Sequence, residues 1–165
     1  MSENDRRARR FWRYAPLVVW MAVIFAASTG RLSGDNTSRL IGPILHWLFP
    51  NISEAKIEIA HFVVRKTAHF AEYAVLAFLA ARAFATSTRV TLRRRFFYVT
   101  LFLVIVYSLS DELHQNFVPS RTGSIYDSFI DIAGGVTALT VYTLMRRRRQ
   151  GRGIGVRDES AAIKT

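Results

Sequence analysis

The segment that decides the fold is FFYVTLFLVIVYSLSDELHQNFVPSR, residues 96–121. Its first half is almost wholly apolar, and a helix of about 20 such residues crosses the ~30 Å hydrocarbon core of a bilayer. Its second half carries Asp111, Glu112, His114, Gln115 and Arg121. Such groups are expensive at membrane depth. The segment therefore predicts a membrane-spanning helix whose polar end needs partners or a function.

The composition indicates a membrane protein of one domain. The chain has 165 residues, half of them hydrophobic, with 12 Phe and no Cys. A disulfide or a cysteine-based metal site is therefore excluded. The formal net charge is +11, which would also suit a nucleic-acid-binding protein. However, the basic residues lie in clusters between apolar runs too long for a soluble fold, so membrane lipids, and not nucleic acid, are the expected partner.

Hydropathy predicts an all-α membrane protein with four transmembrane helices. The spans cover about residues 11–29, 65–85, 96–115 and 126–145. Together they form one transmembrane domain over residues 11–145, which follows a basic N-terminus at residues 1–10. Residues 146–165 form a basic tail that we expect to be disordered. Between the first two spans, the apolar residues 40–49 are expected to lie on or dip into the outer leaflet.

The distribution of basic residues predicts the orientation of the spans. Arginines cluster before the first span, between the second and third, and after the fourth, whereas the other two loops carry few basic residues for their length. The positive-inside rule then places both termini in the cytoplasm. The polar ends of the second, third and fourth spans consequently meet at the extracytoplasmic side of the membrane.

Helical spacing places the polar residues of each span on one face. Lys66, His69 and Tyr73 follow i, i+3, i+7, while Asp127 and Asp131 follow i, i+4. Stripes that face each other can pair, whereas stripes that face lipid cannot, so we predict a polar pocket open to the outer side. The predicted polar residues are Lys66, His69, Tyr73, Asp111, Glu112, His114, Gln115, Arg121, Asp127 and Asp131.

Several of these residues also have purely structural interpretations. Lys66 can extend to the lipid head groups by itself, and His69 can serve as a buried hydrogen-bonding residue between helices. Asp127 can complement a helix dipole. Gly134 and Gly135, which continue the face of the two aspartates, are best explained by close helix packing.

Taken in order, these residues resemble the VanZ-like family of bacterial membrane proteins. The motifs are Lys66-x-x-His69-x-x-x-Tyr73, Asp111-Glu112-x-His114-Gln115-x-Phe117-x-Pro119-x-Arg121 and Asp127-x-x-x-Asp131-x-x-Gly134. Position 120 is Ser where the family often has Gly, and position 131 is Asp where Asn is also common. The resemblance implies a multi-pass protein of the bacterial inner (cytoplasmic) membrane. The family takes its name from a protein that raises resistance to the glycopeptide teicoplanin, and it supplies no catalytic residue to transfer.

Different classes of function remain open at this point. A non-catalytic protein would bind or modulate an envelope amphiphile at the outer leaflet, such as a lipid-linked cell-wall precursor or a glycopeptide. An enzyme would use the acids and imidazoles on a lipid-linked substrate, with or without a divalent metal. In a third interpretation the polar cluster only locks the helices together. A transporter is disfavoured, because no inverted repeat is visible.

Overall fold

The computed structural model describes residues 2–29, 34–118 and 124–162, with side chains described except at 34–40 and 151–162. In these ranges the chain forms six helices and no strand, and it is 88% helical. The helices are α1 Glu3–Ser28, α2 Gly34–Leu48, α3 Glu54–Ala85, α4 Val90–Arg94, α5 Phe96–Gln115 and α6 Ile125–Ala162. The predicted all-α class is confirmed.

Within the described ranges, four helices are long and apolar enough to cross a membrane: α1, α3, α5 and α6 through Gln150. Each contains one of the four spans expected from hydropathy. The second helix is longer than the predicted span, because α3 begins at Glu54, with Ser53 as its N-cap residue in extended conformation. The chain thus has the architecture of a multi-pass membrane protein.

The end of the chain differs from the prediction. Residues 146–165 were expected to be disordered, whereas α6 continues without a break to Ala162. A helix that is already formed adds one backbone hydrogen bond for each further residue.

The bundle is organised around α3, which contacts α1, α2, α5 and α6. The core consists of large side chains, including Ile24, Tyr73, Leu76 and Val104, packed against alanines of α3. Many apolar side chains point outward instead; Phe102, for example, is 68% exposed. An apolar exterior of this kind is expected of helices that face lipid.

Two glycines set the distance between α6 and its neighbours. A Cβ atom at Gly134 would overlap the backbone carbonyl of Phe70 on α3 and lie 3.1 Å from its Cα. A Cβ atom at Gly135 would lie 2.6 Å from a methyl group of Val104 on α5. The predicted packing role of both glycines is therefore confirmed, since only glycine allows this approach.

The helix α2 lies outside the four-helix bundle and packs on α3. Its end is apolar and exposed, with Trp47 81% exposed and Leu48 and Phe49 also exposed. These side chains suit a membrane interface, where Trp is favoured. Their insertion into the outer leaflet stays a prediction.

Candidate functional site

Polar side chains from all four long helices meet at one end of the bundle, where α1 and α5 end and α6 begins. We call this group the polar cluster. It consists of Ser28, Arg65, Lys66, His69, Ser108, Asp111, Glu112, Gln115, Asp127 and Asp131. Most of its members are buried, and both Asp127 and Asp131 are at most 2% exposed. Burial of so many polar groups in an otherwise apolar bundle requires that they satisfy one another or a ligand.

The centre of the cluster is a contact between three helices. The His69 Nδ1 atom on α3 lies 3.1 Å from the Asp131 Oδ1 atom on α6. The other carboxylate oxygen of Asp131 accepts a hydrogen bond of 3.0 Å from the Ser108 hydroxyl on α5. A carboxylate held in this way fixes the orientation of the imidazole ring.

Asp127 binds the two basic side chains of the cluster. It lies in the first turn of α6 and pairs with Lys66 Nζ and, at 3.3 Å, with Arg65 Nη2, both on α3. Lys66 also lies 5.1 Å from the centre of the Phe62 ring. Lys66 therefore forms an ion pair within the cluster instead of extending by itself to the lipid head groups. Asp127 likewise has ion-pair partners in addition to its favourable position at the start of a helix dipole. The two basic side chains are the least buried members of the cluster, since Arg65 is 40% exposed.

Asp111 connects the first helix to the cluster. One of its oxygens accepts a hydrogen bond of 2.5 Å from Ser28 at the end of α1. The other accepts one of 3.2 Å from Gln115, one turn further along α5. Asp111 is buried, and the described hydrogen bonds engage both its oxygens.

Glu112 is only half satisfied. Its side chain is 5% exposed, and its Oε2 accepts a hydrogen bond of 2.6 Å from the backbone N–H of Ser124. Its Oε1 has no hydrogen-bond partner among the described residues. One potential ligand atom from each of Glu112, His69 and Asp131 lies within 4.8 Å of the other two. Glu112 thus faces the cluster with a free oxygen, a direction that the sequence left open.

Two of the residues predicted for the cluster, Tyr73 and His114, have other surroundings, and a third lies outside the described ranges. Tyr73 is fully buried in the apolar core, where its ring lies 6.4 Å from that of Tyr107. The Tyr73 hydroxyl group is buried and has no hydrogen-bond partner among the described residues. His114 stacks on Phe25 of α1 at 4.7 Å. Arg121 lies outside the described residues.

Three members of the cluster are absent from the predicted set: Ser28, which closes the outer end of the first predicted span, Ser108 and Arg65. Ser108 precedes Asp111 by three positions and Glu112 by four, so it lies on their helical face and helical spacing could have identified it. Arg65 directly precedes Lys66 and begins the second predicted span. Its long side chain reaches Asp127 from a neighbouring position on the helix.

The cluster brings together groups that perform two kinds of chemistry. An imidazole between two carboxylates can hold a divalent cation or move a proton. The amino and guanidinium groups beside Asp127 can bind a phosphate or carboxylate. The side chains of the cluster are sufficient for both kinds of chemistry.

A helical bundle with an apolar exterior and a buried polar cluster at one end defines a multi-pass membrane protein with an internal polar site. The sequence model of the VanZ/LLP1 family matches residues 11–146, which include all four spans and the whole cluster. The chain belongs to the VanZ/LLP1 family. The same comparisons find no match among curated proteins and none among solved structures.

Proposed function

We propose that this VanZ-like protein binds the polar head group of an envelope amphiphile in the polar cluster. The cluster lies at the extracytoplasmic side of the cytoplasmic membrane, and both termini are cytoplasmic. The observation that carries the proposal is the free Oε1 of Glu112, a buried carboxylate oxygen without a partner among the described residues. Such an oxygen is costly to bury unless a ligand, an ion or water completes its hydrogen bonding.

The distribution of charge supports an amphiphile as the ligand. Arg65 and Lys66 are partly exposed beside Asp127 and suit an anionic head group. Exposed apolar side chains such as Phe62 and Phe129 flank the same end of the bundle and suit a lipid tail. A lipid-linked cell-wall precursor has both parts, and so does the lipophilic glycopeptide teicoplanin. Resistance to teicoplanin is the phenotype that such binding would produce.

The test is a binding measurement on the purified protein in lipid nanodiscs. Saturable binding of teicoplanin or of a lipid-linked precursor is expected, with binding at least ~10-fold weaker in Lys66→Gln, since one charge-assisted hydrogen bond contributes about 1.5–3 kcal/mol. Lys56→Gln is the matched control, because Lys56 is an exposed lysine near the start of the same helix. Absence of binding to either ligand, or equal weakening by both variants, contradicts the proposal.

A second candidate function is an enzyme that acts on a lipid-linked substrate. The contact between Asp131 and His69 favours it, because a carboxylate that orients an imidazole is a common general-base arrangement. Turnover of the bound precursor by the wild type, lost in His69→Gln at equal membrane abundance, would support catalysis. Binding without any product would leave the non-catalytic function.

A further inference from the structure

We propose that His69, Glu112 and Asp131 bind a divalent transition-metal ion, such as Zn²⁺ or Mn²⁺, at the centre of the polar cluster. The inference rests on the proposed function, because the ion lies in the cluster that takes the head group. The ion would be the group that contacts the anionic part of the head group.

The geometry of the three residues fits such an ion. They come from α3, α5 and α6, and one potential ligand atom of each lies within 4.8 Å of the other two. His69 Nδ1 and Asp131 Oδ1 are 3.1 Å apart, close to the ~3.3 Å that separates two ligands of a tetrahedral ion with bonds of ~2.0 Å. The three ligand atoms lie within 4.8 Å of one another, so a small approach of their side chains brings them to one ion.

An independent observation points to a ligand at this position. Glu112 is 5% exposed, and its Oε1 has no hydrogen-bond partner among the described residues. Its other oxygen is held by the backbone N–H of Ser124, so the carboxylate is oriented before any ligand binds. A metal ion would satisfy the free oxygen.

The charge of the cluster also favours a cation. The cluster contains four carboxylates, whereas its described cationic groups other than His69 are Arg65 and Lys66, and both of these pair with Asp127. Among the described residues, the counter-charge available to both Glu112 and Asp131 is His69. A divalent ion neutralises both carboxylates.

The types of ligand indicate the class of ion. Imidazole favours Zn²⁺ and similar transition metals, and carboxylates also accept Mn²⁺, whereas a site for Ca²⁺ or Mg²⁺ would be built of oxygen ligands. Three protein ligands leave at least one coordination position open. An oxygen atom of a phosphate or carboxylate head group fits this position, so the ion would contact the ligand directly.

The test is the metal content of the protein, purified in detergent with a tag that contains no histidine. We expect about one Zn²⁺ or Mn²⁺ per chain by elemental analysis. After chelation, titration with each metal should restore it. Glu112→Gln preserves the shape of the side chain and should weaken metal binding at least ~10-fold, and His69→Ala should do the same. Circular dichroism and thermal unfolding establish that each variant is folded.

Two control variants separate the metal site from the rest of the cluster. His61→Ala removes a histidine from the same helix α3, eight positions before His69. Asp111→Asn removes a buried carboxylate next to Glu112 that is bound to Ser28 and Gln115. Both variants should keep the metal. No bound metal in the wild type, or equal binding by folded Glu112→Gln, overturns the inference.

The metal inference and the proposed function fail in different ways. If the wild type binds teicoplanin or the lipid-linked precursor but no metal, the metal inference falls and the proposed function stands. If it binds metal but neither amphiphile, the metal site stands and the proposed function falls. If chelation weakens amphiphile binding ~10-fold and added metal restores it, both are supported.

Discussion

The His69 imidazole on α3 lies 3.1 Å from the carboxylate of Asp131 on α6, although 62 positions separate the two residues in sequence. Three positions after Asp131, Gly134 brings the backbone of α6 against that of Phe70, the residue that follows His69. The polar contact and the close backbone approach therefore belong to one interface. Any change in the spacing of α3 and α6 should act on the candidate site as well as on stability.

The substitution Gly134→Ala should destabilise the protein. The added Cβ atom would overlap the Phe70 carbonyl, which is backbone and cannot rotate away, so α3 and α6 must separate. We expect a loss of about 1–3 kcal/mol, the usual cost of overpacking, measured by unfolding in detergent. Gly42→Ala on α2 is the matched control, because a Cβ atom there meets nothing within 4 Å. Equal stability of the two variants would contradict this account of the interface.

Removal of the charge at Asp127 should leave two basic side chains without their counter-ion. Asp127→Asn keeps the shape of the side chain but weakens its contacts with Arg65 and Lys66. We expect a loss of about 1–3 kcal/mol, since both partners are partly exposed and solvent compensates them in part. The measurement is thermal unfolding in detergent, monitored by tryptophan fluorescence. A variant as stable as the wild type would show that the pair contributes nothing to the fold.

A tyrosine hydroxyl group also links α5 to α1. Tyr107 donates a hydrogen bond of 2.6 Å to the backbone carbonyl of Met21. Tyr107→Phe should cost about 0.5–1.5 kcal/mol, the usual net value of such a bond. Tyr98→Phe is the control, because Tyr98 is 72% exposed, and its loss should be close to zero. Chemical denaturation of both variants in the same detergent makes the comparison, and a larger loss for Tyr98→Phe would be inconsistent with the structure.

The orientation in the membrane can be tested with single cysteines, because the chain contains none. A cysteine at Asn51, between α2 and α3, should react with a membrane-impermeant maleimide in intact cells. A cysteine at Thr88, between α3 and α4, should react only after the cells are broken. Both positions are exposed in the structure. The reverse pattern of labelling would place the polar cluster on the cytoplasmic side.

The sequence predicted the helices better than it predicted their contacts. Long apolar runs indicate spans because a bilayer leaves few alternatives to helix, and the positions of all four helices agree with this. Periodicity also identified the faces that carry Lys66, His69 and Asp127. Periodicity could not identify which residues pair, because the neighbour that a helix face contacts depends on how the helices are arranged. The pairing of Ser28 with Asp111 is of this kind.

Depth in the bundle was the second quantity that sequence did not supply. Tyr73 shares a face with His69 but lies about 6 Å further along the helix axis, at 1.5 Å per residue. That distance places it in the apolar core, with Leu76 and Val104. Glu112 presents the opposite case. Its sequence neighbours did not reveal whether it faced lipid or protein, and only the packing of α5 against α6 turned it inward.

The central claim, that the polar cluster is a working site, is tested most directly by teicoplanin susceptibility. A bacterial host expresses the wild type or Glu112→Gln at membrane levels matched by immunoblotting, and vancomycin is tested in parallel. The account predicts that the wild type protects against teicoplanin and that an equally abundant Glu112→Gln does not. Full protection by that variant at equal abundance would contradict the claim and leave the cluster as a structural lock between the helices.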